Sequence, residues 1–397
     1  MAKLLSPSIS ITFVEKAASM IERGSRGIVA LVLRDVSIKG EPEVYTIRDV
    51  TGIPAGWSEA NKQYVKDCLK GYSTAPLKVI VYVMPATEEA EQLYTDMLSY
   101  LETETFQWLA IPTVETDGKT NDIVSWVKTQ RENDNMIKAV LPNADAADCE
   151  GIINWVSTLS YEETVSSDGN NTTVTVKKYT PEQGTPRIAG ILAGTDITIS
   201  ATYAPMKDFS DTSRLNKSER DTAVGAGKLI ALWDGEKVKL DRAVTSFVTT
   251  TGNKGDSFKK IKLVEDMDMI KTDIQSTIQD DYIGKYANSY DNKCLLITAI
   301  NGYFKTLVSE GVIESGTLWV EENGITLHFD GSGDTLQLDL TISGDLMDLT
   351  NGGSLFPVEA IQSSVPYFTR NGLEMNAEVE LGTFLLANGA SSYSGKG

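Results

Sequence analysis

The residues able to do chemistry are few in this 397-residue chain, which has one histidine, His328, and three cysteines, Cys68, Cys149 and Cys294. His328 stands in GITLHFDG, where the alternation of a half-buried strand accounts for it. One imidazole supplies no His pair for a metal and poor material for a nucleophile–base–acid triad. The cysteines are odd in number, far apart and never in a C-x-x-C spacing, so neither a disulfide framework nor a zinc site is indicated, and a reducing cytoplasm fits. Two short stretches mimic ligand loops and fail at a named position. TAVGAGKLI, residues 222–230, contains Gly227-Lys228, but a phosphate loop needs a glycine where Thr222 stands and a Ser or Thr where Leu229 stands. DGSGD, residues 330–334, opens like a calcium loop, yet its twelfth position is Thr341 rather than a bidentate Glu, so a turn between strands is expected. No catalytic, metal or cofactor site is expected.

Charge narrows the partners. The 36 Lys and Arg against 55 Asp and Glu give a formal net charge of −19, which argues against a phosphate-backbone ligand, because that contact relies on clustered cations releasing counterions. Proteins are the expected partners, with no nucleic acid. The apolar runs are short and no basic segment followed by a long apolar one opens the chain, so no membrane insertion or secretion is expected.

The elements that would position any site follow from hydropathy. IVALVL (28–33), KVIVYVM (78–84), FQWLAIP (106–112) and MIKAVLP (136–142) are continuous apolar runs of the kind buried on both faces of a sheet. Between them lie helical stretches: SEANKQYVKDCLKG, with Gly71 as its C-terminal stop; TEEAEQLYTDMLSYLETE, with Thr87 as N-cap and acids in its first turn; and TNDIVSWVKTQREN. AADCEGIINWVSTL (146–159) also reads as a helix. Strands spaced by helices of this length predict an α/β fold with a mainly parallel sheet and flanking helices. Alternating Thr and Val on both sides of Asp168-Gly169-Asn170 predict an inserted β-hairpin near 157–185, and TPRIAGILAGT returns to helix. KLIALWDGEKVKLDRAVTSFV predicts a second hairpin turning at Asp234-Gly235. Amphipathic helix follows to about residue 313, its Ile and Met spacing that of a core face.

The opening SISITF poses a different problem, since Ile9, Ile11 and Phe13 alternate with Ser8, Ser10 and Thr12 as in a strand that has no hairpin partner beside it. VEDMDMIKTDIQSTIQDDYIGKYANSYDNKCLLITAINGYFKTLVSEGVIES, with RIAGILAGT and DRAVTSF, closely resembles the tail sheath proteins of contractile-tailed phages and R-type bacteriocins of Gram-positive bacteria. The likeness runs, with gaps, from SISITFVEKA to about Ser315. It implies a non-enzymatic subunit of stacked hexameric rings that contract around an inner tail tube, meeting baseplate and tail terminator proteins, in a virion tail or bacteriocin particle assembled in the host cytoplasm.

The same resemblance implies extended arms that add strands to neighbouring subunits. Ile9, Ile11 and Phe13 would then be the buried face of a donated N-terminal strand. On the C-terminal side, two alternating stretches are candidates, one with Leu336, Leu338 and Leu340, the other with Val379 and Leu381. Leu229, Ala231, Val238 and Leu240 resemble part of the accepting sheet. The expected organisation is an arm at 1–20, an α/β domain at 21–200, an α+β C-terminal core domain at 201–345 and a C-terminal extension at 346–397. The alternatives are a non-contracting tail protein, such as a tube or terminator component, and a small-molecule enzyme on the α/β domain, for which the pocket chemistry is missing.

Overall fold

A computed structural model describes residues 21, 23–86, 90–167, 171–251, 254–285, 290–313, 316–321, 324–329, 335–338 and 365–366. The chain divides into two compact units: Gly24–Ile270, and Lys271–Gly397 together with Met1–Arg23.

The first unit runs β1 (Ile28–Asp35), β2 (Glu43–Ile47), α1 (Glu59–Leu69), β3 (Lys78–Pro85), α2 (Ala90–Leu101), β4 (Trp108–Ala110), α3 (Thr120–Glu132), β5 (Lys138–Pro142) and β6 (Ile152–Trp155). A hairpin of β7 (Leu159–Ser167) and β8 (Asn171–Tyr179) precedes α4 (Pro181–Ala193), β9 (Asp211–Thr212), α5 (Lys217–Gly225), β10 (Lys228–Leu229), β11 (Ala231–Trp233), β12 (Val238–Leu240) and α6 (Ile261–Thr277), which continues past Ile270 into the second unit. Seven strands form one sheet in the order β10-β6-β5-β4-β1-β3-β2. Every pairing in it is parallel except that of β2 with β3.

The sheet is closed on both faces, and the period of two shows which residue goes where. Val29, Leu31, Leu33, Val79, Val81, Val83 and Trp108 join a core with Val65 and Cys68 of α1 and Ile188 and Ile191 of α4. Their neighbours Ile28, Ala30, Val32, Ile80, Tyr82, Met84 and Leu109 join a second core with Leu93 and Met97 of α2 and Ile123 and Val127 of α3. Burial on both sides is why the runs read as continuous rather than alternating. The expected strands at 78–84, 106–111 and 136–141 are therefore present, as are the hairpins at 159–179 and 231–240.

The stretch 146–159 is a correction. It holds β6, not a helix, with Ile152 to Trp155 paired parallel to β5 from Ala139 to Pro142. Cys149, Ile152, Ile153 and Val156 have helical spacing, but adjacent β-branched Ile152 and Ile153 must fill both faces of the sheet. The short connection from β5 turns at Asn143 (φ 47°) and Asp148 (φ 37°), residue types that tolerate the left-handed region.

Helix ends follow local rules. Ser58 caps α1 by accepting from the Asn61 N–H at 3.3 Å, and Thr180 with Gln183 forms a reciprocal capping box ahead of Pro181. Gly71, just past α1, has φ 58°, and a Cβ there would meet the Thr74 carbonyl at 1.8 Å. Where α4 crosses α1, a Cβ on Gly190 would stand 2.1 Å from the Cys68 carbonyl oxygen.

In the second unit, the C-terminal part of α6, a π turn at Ile278–Tyr282 and α7 (Tyr290–Ser309) bury Ile274, Ile278, Leu296, Ile300, Phe304 and Leu307. The Tyr303 hydroxyl donates to Asp273 Oδ2 at 2.7 Å within this core. β13 (Gly316–Glu321), β14 (Gly324–Phe329), β15 (Thr335–Leu338) and β16 (Val365–Pro366) form an antiparallel sheet in the order β15-β14-β13-β16. His328 lies on β14, opposite Thr317 and Thr335, as its alternating context predicts.

Helix packing over Gly190 gives a stability test. Gly190→Ala should lower the unfolding free energy by more than about 2 kcal/mol through forced separation of α4 from α1. Gly225→Ala at the end of α5, where a Cβ meets nothing within 4 Å, should change it by less than about 1 kcal/mol. Denaturant unfolding of both variants checks the contrast.

Candidate functional site

The residues singled out from sequence fall into three groups. Ile9, Ile11, Phe13, Leu340, Val379 and Leu381 lie outside the described residues, as do Asp330 to Asp334. Leu336 and Leu338 are on β15, opposite Leu327 and Ile325 of β14 in the same chain. Leu229, Ala231, Val238 and Leu240 are fully buried and belong to the core of the first unit. Leu229 stands beside Trp155 in the parallel sheet. The other three line the β11–β12 hairpin, whose backbone is further engaged: Met206 N donates to Val238 O at 2.8 Å and Leu240 N to Ala204 O at 2.9 Å.

The apparent phosphate loop resolves into ordinary structure. Thr222 to Gly225 end α5 and Lys228 opens β10, so the chain runs helix to strand where a phosphate loop runs strand to helix. The Cys68 thiol is buried and pushed up to about 12 by desolvation, the opposite of a reactive thiolate. At the carboxyl end of β1, where doubly wound enzymes place ligands, Asp35 is 1% exposed. Its Oδ1 accepts from Ser37 N at 2.9 Å, and its Oδ2 accepts from Ser58 N at 2.8 Å and Asn61 Nδ2 at 2.7 Å. Burial opposes ionisation there, but these donors outweigh it and hold the carboxyl far below its ordinary range. It fastens β1 to α1.

The dominant electrostatic feature is a buried network between the sheet and α6. Arg131 of α3 grips Asp268 with two parallel bonds, Nη1 to Oδ2 and Nη2 to Oδ1, each 2.8 Å. Lys138 of β5, whose side chain is 2% exposed, reaches Asp268 Oδ2 at 3.0 Å and Glu265 Oε1 at 2.7 Å. Its ammonium also lies 5.1 Å from the Trp108 ring centre. Arg131 Nε stands 3.6 Å from Glu150, and Lys254 Nζ approaches Glu150 at 2.8 Å. Burial works against ionisation of Asp268, yet Lys138 and Arg131 outweigh it and hold the carboxyl low. The bidentate geometry and the second cation pair the Asp268 charge rather than leave it isolated, while Arg131 Nε and Glu265 Oε1 make ion-pair contacts without a hydrogen bond.

Beside it opens a cavity of about 350 Å³, walled by Leu77, Leu192, Ile197 and Ile199 and floored by Trp108, with Arg26, Lys262 and Asp266 among its polar lining. Lys262 Nζ donates to Asp266 Oδ2 and to the Ile197 carbonyl, both at 2.8 Å. Asp266 Oδ1 is buried with no hydrogen-bond partner. Desolvation raises this carboxyl from 3.8 to about 6; Lys262 and Arg26 oppose the rise and Glu265 adds to it. Among the described residues no three His, Cys, Asp or Glu side chains are grouped to hold a metal ion, and no helix is long and apolar enough to cross a membrane.

Comparison with known proteins assigns this architecture. The family described as phage tail sheath protein central domain matches residues 88–246, and the phage tail sheath C-terminal domain matches residues 253–327. The tail sheath protein of Clostridium phage phiCD119 is 36% identical over 314 residues, covering 78% of this chain and 82% of that protein. The chain belongs to the phage tail sheath protein family. Its fold matches the sheath tail protein of Desulfitobacterium hafniense with TM-score 0.63 at 17% identity, covering 83% of this chain and 99% of that one. It also matches the contracted helical sheath of the anti-feeding prophage with TM-score 0.60 at 13% identity, covering 79% and 88%. The closed carboxyl end of β1 is compatible with a structural sheath protein.

Sequence reasoning missed the ion network and the cavity of this sheath subunit. Lys138 lies in an apolar run, MIKAVLP, which is the one signal that its ammonium must find carboxylates inside the fold. Two predictions follow from the geometry. Asp268→Asn should destabilise the chain by about 3 kcal/mol or more, since the buried Lys138 and Arg131 lose the carboxylate they share and keep only Glu265 and Glu150. Asp266→Asn should do the reverse at pH 7. A carboxyl raised in the folded state binds its proton more tightly there than in the unfolded chain. Its contribution is therefore most favourable below pH 3.8 and is lost as pH rises through about 6. The variant should gain roughly 1–2 kcal/mol at pH 7 and little at pH 4, measured by unfolding at both.

Proposed function

We propose that this sheath protein is a non-catalytic subunit that polymerises with copies of itself as stacked rings around an inner tail tube. On this reading it contracts to drive the tube through an envelope and meets baseplate and terminator proteins at the ends. The particle is a phage tail or bacteriocin assembled in the host cytoplasm. The observation that carries this reading is the 36% identity over 314 residues to a tail sheath protein. The helical, contracted state named for the anti-feeding prophage sheath, whose fold this chain shares, supports a polymer that moves between two packings.

Copies are linked, in this proposal, by exchanged terminal strands. Ile9, Ile11 and Phe13 form the inward face of the N-terminal donor, and the stretch containing Val379 and Leu381 is the C-terminal candidate that leaves β15 to its own sheet. Leu229, Ala231, Val238 and Leu240 support the accepting region from the core beneath it. Each added strand gains several backbone hydrogen bonds at about 0.5–1.5 kcal/mol and buries three apolar side chains at roughly 1.5–3 kcal/mol each. Ordering half a dozen residues costs about 1–2 kcal/mol apiece. The margin per strand is small, and tethering through a polymer multiplies it by raising effective concentration.

Deleting residues 1–13, or substituting Ile11→Asp, should leave the melting temperature of the isolated subunit within about 2 °C of the parent while abolishing striated tubes under negative stain. A fall of about 10 °C or more in the isolated subunit would mean that the strand pairs at home. Narrow unstriated cylinders from the full chain would point to a tube protein, and dispersed particles at high concentration would oppose polymerisation altogether.

A further inference from the structure

The loop from 194 to 206 lines the cavity through Thr195, Ile197, Ile199 and Ala201, and it carries a feature the subunit itself does not use. Tyr203 is 59% exposed, yet its backbone sits at φ 60°, in the left-handed region that bulky residues avoid. The strained backbone is held in place, because Tyr203 N donates to the Asp241 carbonyl at 3.2 Å. An unfavourable backbone conformation thus displays an aromatic ring to solvent, and such outliers cluster at functional sites.

The cavity has the converse deficiency. Leu77 and Ile199 on its wall are 51% and 40% exposed, and Asp266 Oδ1 is an acceptor without a donor. A bare ammonium would meet Arg26 and Lys262 as well as the carboxylates of Asp196, Glu265 and Asp266, and would leave the apolar walls unfilled. A neutral group with an apolar body and a single polar hydrogen matches both the walls and the orphan oxygen, and tyrosine is such a group.

We propose that Tyr203 of one copy inserts into this cavity of a second copy, its ring against Leu77, Leu192 and Ile199 and its hydroxyl donating to Asp266. The inference rests on the reading that copies of this chain associate. Tyr203 stands on the loop that also lines the cavity, so knob and socket are neighbours and two copies can exchange the contact reciprocally. A central aromatic anchor in a desolvated pocket is also the usual form of an interface hot spot.

The test uses the full chain with Tyr203→Ala, Tyr203→Phe, Asp266→Leu and the Tyr203→Phe, Asp266→Leu pair, plus a chain bearing a photoreactive benzophenone amino acid at position 203. Melting temperature reports folding, sedimentation reports the concentration at which assemblies form, and mass spectrometry locates cross-links between copies. Tyr203→Ala should melt like the parent and raise the assembly threshold roughly tenfold or more. Tyr203→Phe should raise it less, with no further effect once Asp266 is replaced, because the hydroxyl then has no acceptor to lose. The cross-links should fall on peptides carrying Leu77 or Ile199. Assembly of Tyr203→Ala at the parental concentration, strictly additive effects at 203 and 266, or cross-links absent or elsewhere would each overturn the proposal. Failure of the parent chain to form tubes would instead count against the sheath reading, so the two failures are told apart.

Discussion

The attachment of α6 to the parallel sheet depends on one buried carboxylate. Asp268 receives both nitrogens of the Arg131 fork and the Lys138 ammonium, so that α3, β5 and α6 meet at a single side chain. The sheet itself leaves few other options. Because both of its faces are closed by helices, a charged residue within a strand has no water to reach, and Lys138 must be answered from within the protein. The pairing is directional in a way that apolar packing is not. It fixes the rotation of α6 about its axis, which in turn sets Asp266 at the cavity.

A structural protein that works in a polymer has different needs from an enzyme on a similar scaffold. In a doubly wound enzyme the carboxyl ends of the strands are kept open for a ligand. Here Asp35 at the end of β1 is spent on Ser37, Ser58 and Asn61, and the stretch that looks like a phosphate loop is the junction of α5 and β10. Close backbone approaches within this fold occur at Gly190 and Gly71, where a Cβ would not fit. In the proposed assembly, contacts with other copies fall on loops and terminal segments, where they do not require the core to change.

How far the sequence discloses this depends on whether a feature is local. The strands at 78–84 and 136–142 are legible because burial on both faces leaves unbroken apolar runs; α4 is legible in TPRIAGILAGT, but its start at Pro181 falls in the stretch assigned to the hairpin insertion. β2 is not, since as an antiparallel edge strand it has Glu43, Val44 and Thr46 exposed. β6 is misread as helix because four of its apolar neighbours have helical spacing, and only pairing with β5 decides the matter. The ion network is invisible for a further reason: Lys138 and Asp268 are 130 positions apart, and Glu265, Asp266 and Asp268 in VEDMDMIK look like a solvated helix face. The cavity draws its walls from segments near Arg26, Leu77, Leu192 and Lys262, so no window of sequence contains it. The family likeness is legible because it is a long, ordered series of matches.

The central claim is that a rigid α/β body is built within each subunit while the N-terminal strand finds its partner only in the assembly. Hydrogen exchange of backbone amides, compared between dissolved subunits and assembled sheaths, addresses it most directly. The account predicts that amides of β1, β3 and β5 are strongly protected in both states, and that those of residues 8–13 exchange freely in the subunit and become protected on assembly. Protection of residues 8–13 already in the isolated subunit, or loss of protection in β3 and β5 on assembly, would contradict it.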